Sequence, residues 1–332
     1  MKYKYIVALL SFVLLAIGIL LSTFFKKSQR LQQLKRKVNQ LHAYEFKSEN
    51  NQWQKYSNKP VLGDIVTGSM FEPYVILNDD KLVMFVSERQ SGNIIKVESY
   101  DGMRWTNRST VLKRENNTWA SIINRACVQK VDSLWYMWFT GQTSEKSCIG
   151  FAQSNNMDIF VPSEDPVIVA DQKGEGCSVM NPCVLYDEVT RSFQMWYSAG
   201  DNYEPDAIFY ATSKDGKLWN KRRDAVLKKY KMHKWESYKI GGCDVIKNPD
   251  GSYIMYYIGY QNLDVARICY AVSKDGINWS RPENNLVIGP SVNSWDKDAI
   301  YKPSILRFKD NLYLWYNGRN GGDEYIGLAI HP

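Results

Sequence analysis

The chain has 332 residues, 44% of them hydrophobic, enough to bury one large or two ordinary cores. Its net charge of +7 is modest, and much of it falls on Lys26, Lys27, Arg30, Lys35, Arg36 and Lys37; no basic-aromatic pattern accompanies it, so no nucleic acid is expected as a partner. Six cysteines without a CxxC pair and only three histidines leave no zinc spacing, and no metal or other cofactor is expected.

From Ile6 to Phe25 the chain is uncharged and mostly apolar, a run of about 20 residues that matches the length of a bilayer-spanning helix. No small-residue cleavage site precedes Lys26, so the run reads as an uncleaved anchor. The expectation is a single-pass membrane protein. Residues 1–25 are its flank and anchor, residues 26–44 a basic juxtamembrane stalk, and residues 45–332 a domain read on the non-cytoplasmic side because long domains translocate regardless of flanking charge, while the six basic residues after the span argue for the opposite orientation. The basic cluster suits anionic lipid headgroups. Leu31, Leu34, Val38 and Leu41 follow at helical spacing and predict a short amphipathic stalk helix with weak self-association.

Beyond about Tyr44 the pattern changes to short β runs broken by Gly, Asn and Asp. A repeated element organises them. Ser-Lys-Asp-Gly-x-x-Trp stands at Ser213–Trp219 and again at Ser273–Trp279, with an earlier form at Ser99–Trp105 and a decayed one at Ser154–Phe160. The aromatic positions are 55, 59 and 60 residues apart, a period that signals stacked sheet repeats. Asp-Gly supplies a tight turn, because Gly accepts positive φ at no steric cost, while Ser and Trp fix the turn by hydrogen bonding and packing. The turn is therefore structural.

Each repeat divides into four strands. In the third these are Val179–Tyr186, Ser192–Ser198, Ala207–Ser213 and a short outer strand reaching Leu227. The fifth repeat supplies Pro303–Arg307, Leu312–Tyr316 and Tyr325–Ile330 and then lacks one strand. Asn51-Gln52-Trp53 followed by Pro60–Gly63 resembles Ile277-Asn278-Trp279 followed by Leu286–Gly289, so the N-terminal segment completes the last sheet and removes an exposed edge. The predicted fold is all-β, a five-bladed β-propeller closed by an N-terminal strand. Cys127, Cys183 and Cys243 fall at the same place in three successive repeats, early in the inner strands, and read as small buried core residues.

These repeats resemble the five-bladed propeller superfamily of glycoside hydrolase families 43, 32, 62 and 68 and the family 130 mannoside phosphorylases. The resemblance rests on Met195–Ser198 (Met-Trp-Tyr-Ser), Leu314–Arg319 (Leu-Trp-Tyr-Asn-Gly-Arg), Ile326–Ala329 and the repeated turn. It implies a membrane-anchored, glycoside hydrolase-like propeller acting on a glycan in a central funnel, by hydrolysis or phosphorolysis. The alternative is a propeller that binds carbohydrate without cleaving it, in polysaccharide assembly or surface attachment. In that superfamily three carboxylates from the first three blades act as base or nucleophile, pKa-tuning Asp and general acid. The matching strand starts here are Phe71-Glu72-Pro73, Asn124-Arg125-Ala126, Met180-Asn181-Pro182, Gly241-Gly242-Cys243 and Tyr301-Lys302-Pro303. Glu72 alone among them is a carboxylate, and it is the catalytic candidate; the second blade offers Asn124 and the third Met180 or Asn181.

A second column past the second strands reads Glu88-Arg89, Gln142, Asp201, Tyr260 and Arg319. With Arg125 and Lys302 it makes a cationic, hydrogen-bonding rim suited to an anionic sugar, a sugar phosphate or phosphate as co-substrate. Candidate replacement acids are Glu88, Asp201, Asp206, Glu236 and Asp298, with Glu204 and Asp206 in a loop that could overhang the funnel.

Overall fold

The structure, a computed structural model, describes residues 25–30, 52–201 and 204–332, with Glu204 through its backbone only. The chain divides into two compact units, Met1–Glu45 and Phe46–Pro332. In the first, residues 25–30 form a short exposed helix. Among the described residues no helix is long and apolar enough to cross a membrane, which overturns the single-pass localisation expected from the sequence. The apolar run at residues 6–24 and the stalk positions Leu31, Leu34, Val38 and Leu41 lie outside the described residues.

The second unit carries five antiparallel sheets. Blade one runs Met70–Asn78, Lys81–Glu88, Ile94–Ser99 and Thr106–Leu112 from the inside outward. Blade two runs Ile122–Val131, Leu134–Gln142, Ser147–Ser154 and Val161–Pro162. The next two begin on Ser178–Asp187 and Lys239–Lys247, and each sheds a fifth short strand, Leu227–Lys228 and Leu286–Ile288. Blade five comprises Ala299–Phe308, Asn311–Asn320 and Asp323–His331, and its outer strand is Gln54–Lys55 from the start of the unit. Gln54 pairs with Ile330 and Lys55 with Ala329, while Leu62 bridges Ile326. Trp53 packs edge-on against Tyr256 and His331. The ring therefore closes where the Trp53 pattern predicts.

The inner strands of blades one, two, four and five begin three or four residues before the sequence-based starts at Pro73, Ala126, Cys243 and Pro303, whereas the third begins at Ser178, one residue before the expected Val179; one irregularity recurs in all five. The ladder slips between Phe71 and Tyr74, Asn124 and Cys127, Met180 and Cys183, Gly241 and Asp244, and Tyr301 and Ser304. Two residues there oppose one, which is a β-bulge. The first of each pair is left-handed: Glu72 (φ 59°), Arg125 (59°), Asn181 (56°), Gly242 (50°) and Lys302 (34°). Pro73, Pro182 and Pro303 follow three of them, where a bulge tolerates a missing N–H. The bulge continues the strand inward instead of ending it.

Four of the five left-handed residues are held by the preceding blade. Asn317 Oδ1 accepts the Glu72 N–H at 3.3 Å, Ser87 Oγ the Arg125 N–H at 3.2 Å, Thr140 Oγ1 the Asn181 N–H at 3.0 Å, and Ser198 Oγ the Gly242 N–H at 2.7 Å. The corresponding residue ahead of Lys302 is Ile258, which has no acceptor to offer.

The repeated turn joins blades as well as strands. Ser273 Oγ accepts the Gly276 N–H at 2.9 Å, and Asp275 Oδ1 accepts those of Ile277 and Asn278 at 2.9 and 2.7 Å. The Trp196 indole of the preceding blade then donates to the Gly276 carbonyl at 2.7 Å. Trp138 grips Gly216 at 2.8 Å and Trp315 grips Gly102 at 2.9 Å in the same way. All three indoles are fully buried, each worth roughly 1.5–3 kcal/mol of apolar burial.

A second repeated lock ties inner lead-in, second strand and outer strand within a blade. Buried Glu175 accepts from Tyr197 Oη at 2.6 Å and Lys221 Nζ at 2.8 Å. Glu236 accepts from Tyr257 Oη at 2.6 Å and Arg281 Nε at 2.8 Å. Asp296 accepts from Tyr316 Oη at 3.1 Å and Lys55 Nζ at 2.6 Å. Each cation stands two residues after the outer-strand Trp, so Trp53-Gln54-Lys55 copies Trp219-Asn220-Lys221 and Trp279-Ser280-Arg281.

Candidate active site

The bulges of the first three blades open onto one cavity of about 300 Å³. Glu72, Arg125 and Asn181 line it directly from the left-handed positions, because a residue at φ near 60° turns its side chain out of the alternation of the pleat. The position equivalent to Glu72 in blade two is thus Arg125, and Asn124 is its neighbour. Arg89, Asn124, Gln142, Tyr260 and Arg319 also line the cavity.

Glu72 is 8% exposed. Arg125 Nε donates to its Oε1 at 2.6 Å, and its Oε2 is buried with no hydrogen-bond partner. Burial drives the Glu72 pKa above its usual value; Arg125 opposes that, and the nearby Glu324 carboxylate pushes it further up. Glu324 is the residue sequence reasoning missed. It sits on the third strand of blade five, lines the cavity, pairs with Arg89, and accepts from Asn317 Nδ2 at 3.3 Å. Asn317 therefore touches both the Glu72 backbone and the Glu324 carboxylate.

The rest of the wall is hydrogen-bonding and aromatic. Asn124 Nδ2 donates to Gln142 Oε1 at 2.9 Å, leaving Asn124 Oδ1 buried without a partner. Arg89 lies 4.4 Å over the Phe71 ring and Arg319 5.6 Å over Tyr301, which in turn meets Tyr260 at 6.1 Å. Arg319 Nη2 donates to the Asp264 carbonyl at 3.1 Å.

Four expected residues stand elsewhere. Glu88 turns sideways, with Arg108 and Ser91 on its two oxygens, into a separate depression with Thr67 and Gln90. Lys302 is buried and donates to the Cys243 carbonyl at 2.9 Å, beneath the cavity. Asp298 accepts the Gly321 N–H at 2.6 Å, and exposed Asp201 reaches toward Gly176. Among the proposed replacement acids, Glu236 belongs to the blade lock and Asp206 faces Lys239 at 3.9 Å.

One layer below, the register places Tyr74, Cys127, Cys183, Asp244 and Ser304 at matching positions. Cys243 is one residue out of step with Cys127 and Cys183, a correction to the equivalence read from sequence. Burial pushes the Cys127 thiol up to about 12, which suits a core residue. All six cysteines are free, and Cys177 alone is exposed.

Fold and cavity together define a class, five-bladed β-propellers with a polar central cavity. Residues 95–241 match the family model for the glycosyl hydrolases family 32 N-terminal domain. An uncharacterized protein of Mycobacterium tuberculosis, present in two strains, is 28% identical over 172 residues, 50% of this chain and 54% of the relative, so the chain spans about half the length of the curated relatives it matches. A structure described as an RGII complex superposes with a TM-score of 0.69 at 17% identity, covering 92% of this chain and 95% of the other. A member of the family 130 mannoside phosphorylases gives 0.67 at 15% identity, covering 86% and 95%. A thermostable family 43 glycoside hydrolase gives 0.64 at 17% identity, covering 78% and 88%. The resemblance to this superfamily is thus found by the family model and by the backbone alike.

Proposed function

We propose that the chain cleaves a glycosidic bond in the central cavity, with Glu72 as proton donor to the leaving oxygen and Glu324 as the carboxylate that activates water. One observation carries this reading: two carboxyls share the cavity, and one of them, Glu72, is held above its usual pKa by burial and by the other. Glycoside hydrolysis needs one carboxyl protonated and one ionised near neutral pH. Arg89 pairs with Glu324 and so supports the charged partner. Tyr260 and Tyr301 offer ring faces to a sugar, and Asn124, Gln142 and Asn181 offer hydrogen bonds to its hydroxyls. The family 130 structure is described as targeting β-1,2 mannosidic linkages in a mannan, and another neighbour as an RGII complex. Both descriptions support an oligosaccharide as the substrate class.

A second reading is carbohydrate binding without cleavage. The Arg125 and Asn181 side chains favour it, because they stand at the second- and third-blade strand starts where the resemblance implies carboxylates. Incubating the protein with a panel of oligosaccharides, with and without inorganic phosphate, separates the readings. Release of a reducing sugar supports hydrolysis, release of a sugar phosphate transfers the attack from water to phosphate, and binding without either product supports the second reading.

A further inference from the structure

We propose that the cavity selects a glycan carrying a carboxylate, and that Arg319 is the residue that reads it. This rests on the glycan-acting reading above and names the class of its substrate. Three guanidinium groups line the cavity. Arg125 is taken by Glu72 and Arg89 by Glu324. Arg319 is held differently, by the Asp264 carbonyl at 3.1 Å and the Tyr301 ring at 5.6 Å, and its buried Nε has no partner among the described residues. A backbone carbonyl and a ring face fix the plane of the guanidinium without neutralising it.

With Glu324 ionised and Glu72 carrying the proton it would donate, the lining holds two surplus positive charges, and Arg319 bears the one that has no carboxyl partner among the described residues. A carboxylate meets the flat edge of that guanidinium with two parallel hydrogen bonds. Elsewhere in the cavity wall, Glu72 Oε2 and Asn124 Oδ1 are buried without hydrogen-bond partners. Sugar hydroxyls, which both donate and accept, meet these two atoms. A neutral sugar satisfies them and leaves the Arg319 donor unmet.

Calorimetric titration of the full chain tests this with three probes: a uronic-acid oligosaccharide, its carboxyl-reduced neutral counterpart, and inorganic phosphate. The acidic sugar is expected to bind about tenfold or more tightly than the neutral one, with the preference weakening as salt is raised. Arg319→Gln should bring the ratio to about one, and Arg319→Lys, which keeps the charge and loses the planar fork, should retain part of it. Equal binding of acidic and neutral sugars by the unaltered protein overturns the inference and leaves the glycan reading standing. Arg319-dependent phosphate binding without preference for the acidic sugar assigns the residue to phosphate and overturns it as well. If neither sugar binds, the glycan reading fails and this inference falls with it.

Discussion

Arg125 Nε lies 2.6 Å from Glu72 Oε1, and both residues occupy the same left-handed bulge position of neighbouring blades. The contact neutralises a buried carboxylate from one side only and leaves its second oxygen without a partner. Removing the guanidinium takes away the chief influence holding the Glu72 pKa down. For a proton donor, activity falls as pH rises through its pKa. Arg125→Met should therefore move the alkaline limb of the pH-rate profile up by about one unit. A limb that stays in place would remove Glu72 as the titrating donor.

The same carboxyl makes stability depend on pH. Its folded-state pKa lies above the usual 4.5, so the native state binds the proton more tightly than the unfolded chain does. Glu72 therefore lowers stability progressively as pH rises from about 4.5 through the folded-state pKa, and Glu72→Gln does not. The melting temperature of Glu72→Gln minus that of the unaltered protein should increase over this interval. A difference independent of pH would contradict the burial argument.

Ring closure depends on Lys55, which reaches Asp296, the Gly289 carbonyl and Ser291 at 2.6, 2.7 and 2.7 Å. Asp296 is 1% exposed, so Lys55→Met strands a buried charge and should cost on the order of 3–5 kcal/mol in urea unfolding. Asp296→Asn in the same chain should recover much of that loss. A change below about 0.5 kcal/mol would mean that the closing strand carries little of the stability.

The Asp-Gly turn makes a sharper steric prediction. Gly276 has φ +74°, and a Cβ there would stand 2.9 Å from Trp196. Gly276→Ala should destabilise by more than the roughly 1 kcal/mol that the left-handed backbone alone costs, because the indole must also move. Trp196→Phe, which keeps a ring and deletes only the indole donor, should cost less than the Ala substitution in the same assay.

The repeat turn, the strand count and the closing segment were legible because each recurs: Asn51-Gln52-Trp53 repeats the Ile277-Asn278-Trp279 pattern of an outer strand, and the period aligns the inner ones. The bulge was not legible in the same way. A left-handed residue followed by Pro looks like a strand boundary, so although the strand-start triplets set Arg125 opposite Glu72, Asn124 was taken as the residue the second blade offers. Glu324 was invisible for a different reason. It follows the Gly321-Gly322 turn beside Asp323, a setting in which acidic residues are ordinarily solvated, and only the closed ring brings the last blade against the first.

Glu72 is the proposed proton donor of the cavity, and its role is open to a direct test. The direct test is kcat/KM for an oligosaccharide turned over by the unaltered protein, compared with Glu72→Gln, alongside calorimetric binding of the same sugar to both. Turnover should fall by about a hundredfold or more while the sugar still binds. Unchanged turnover in Glu72→Gln would place the chemistry elsewhere in the molecule.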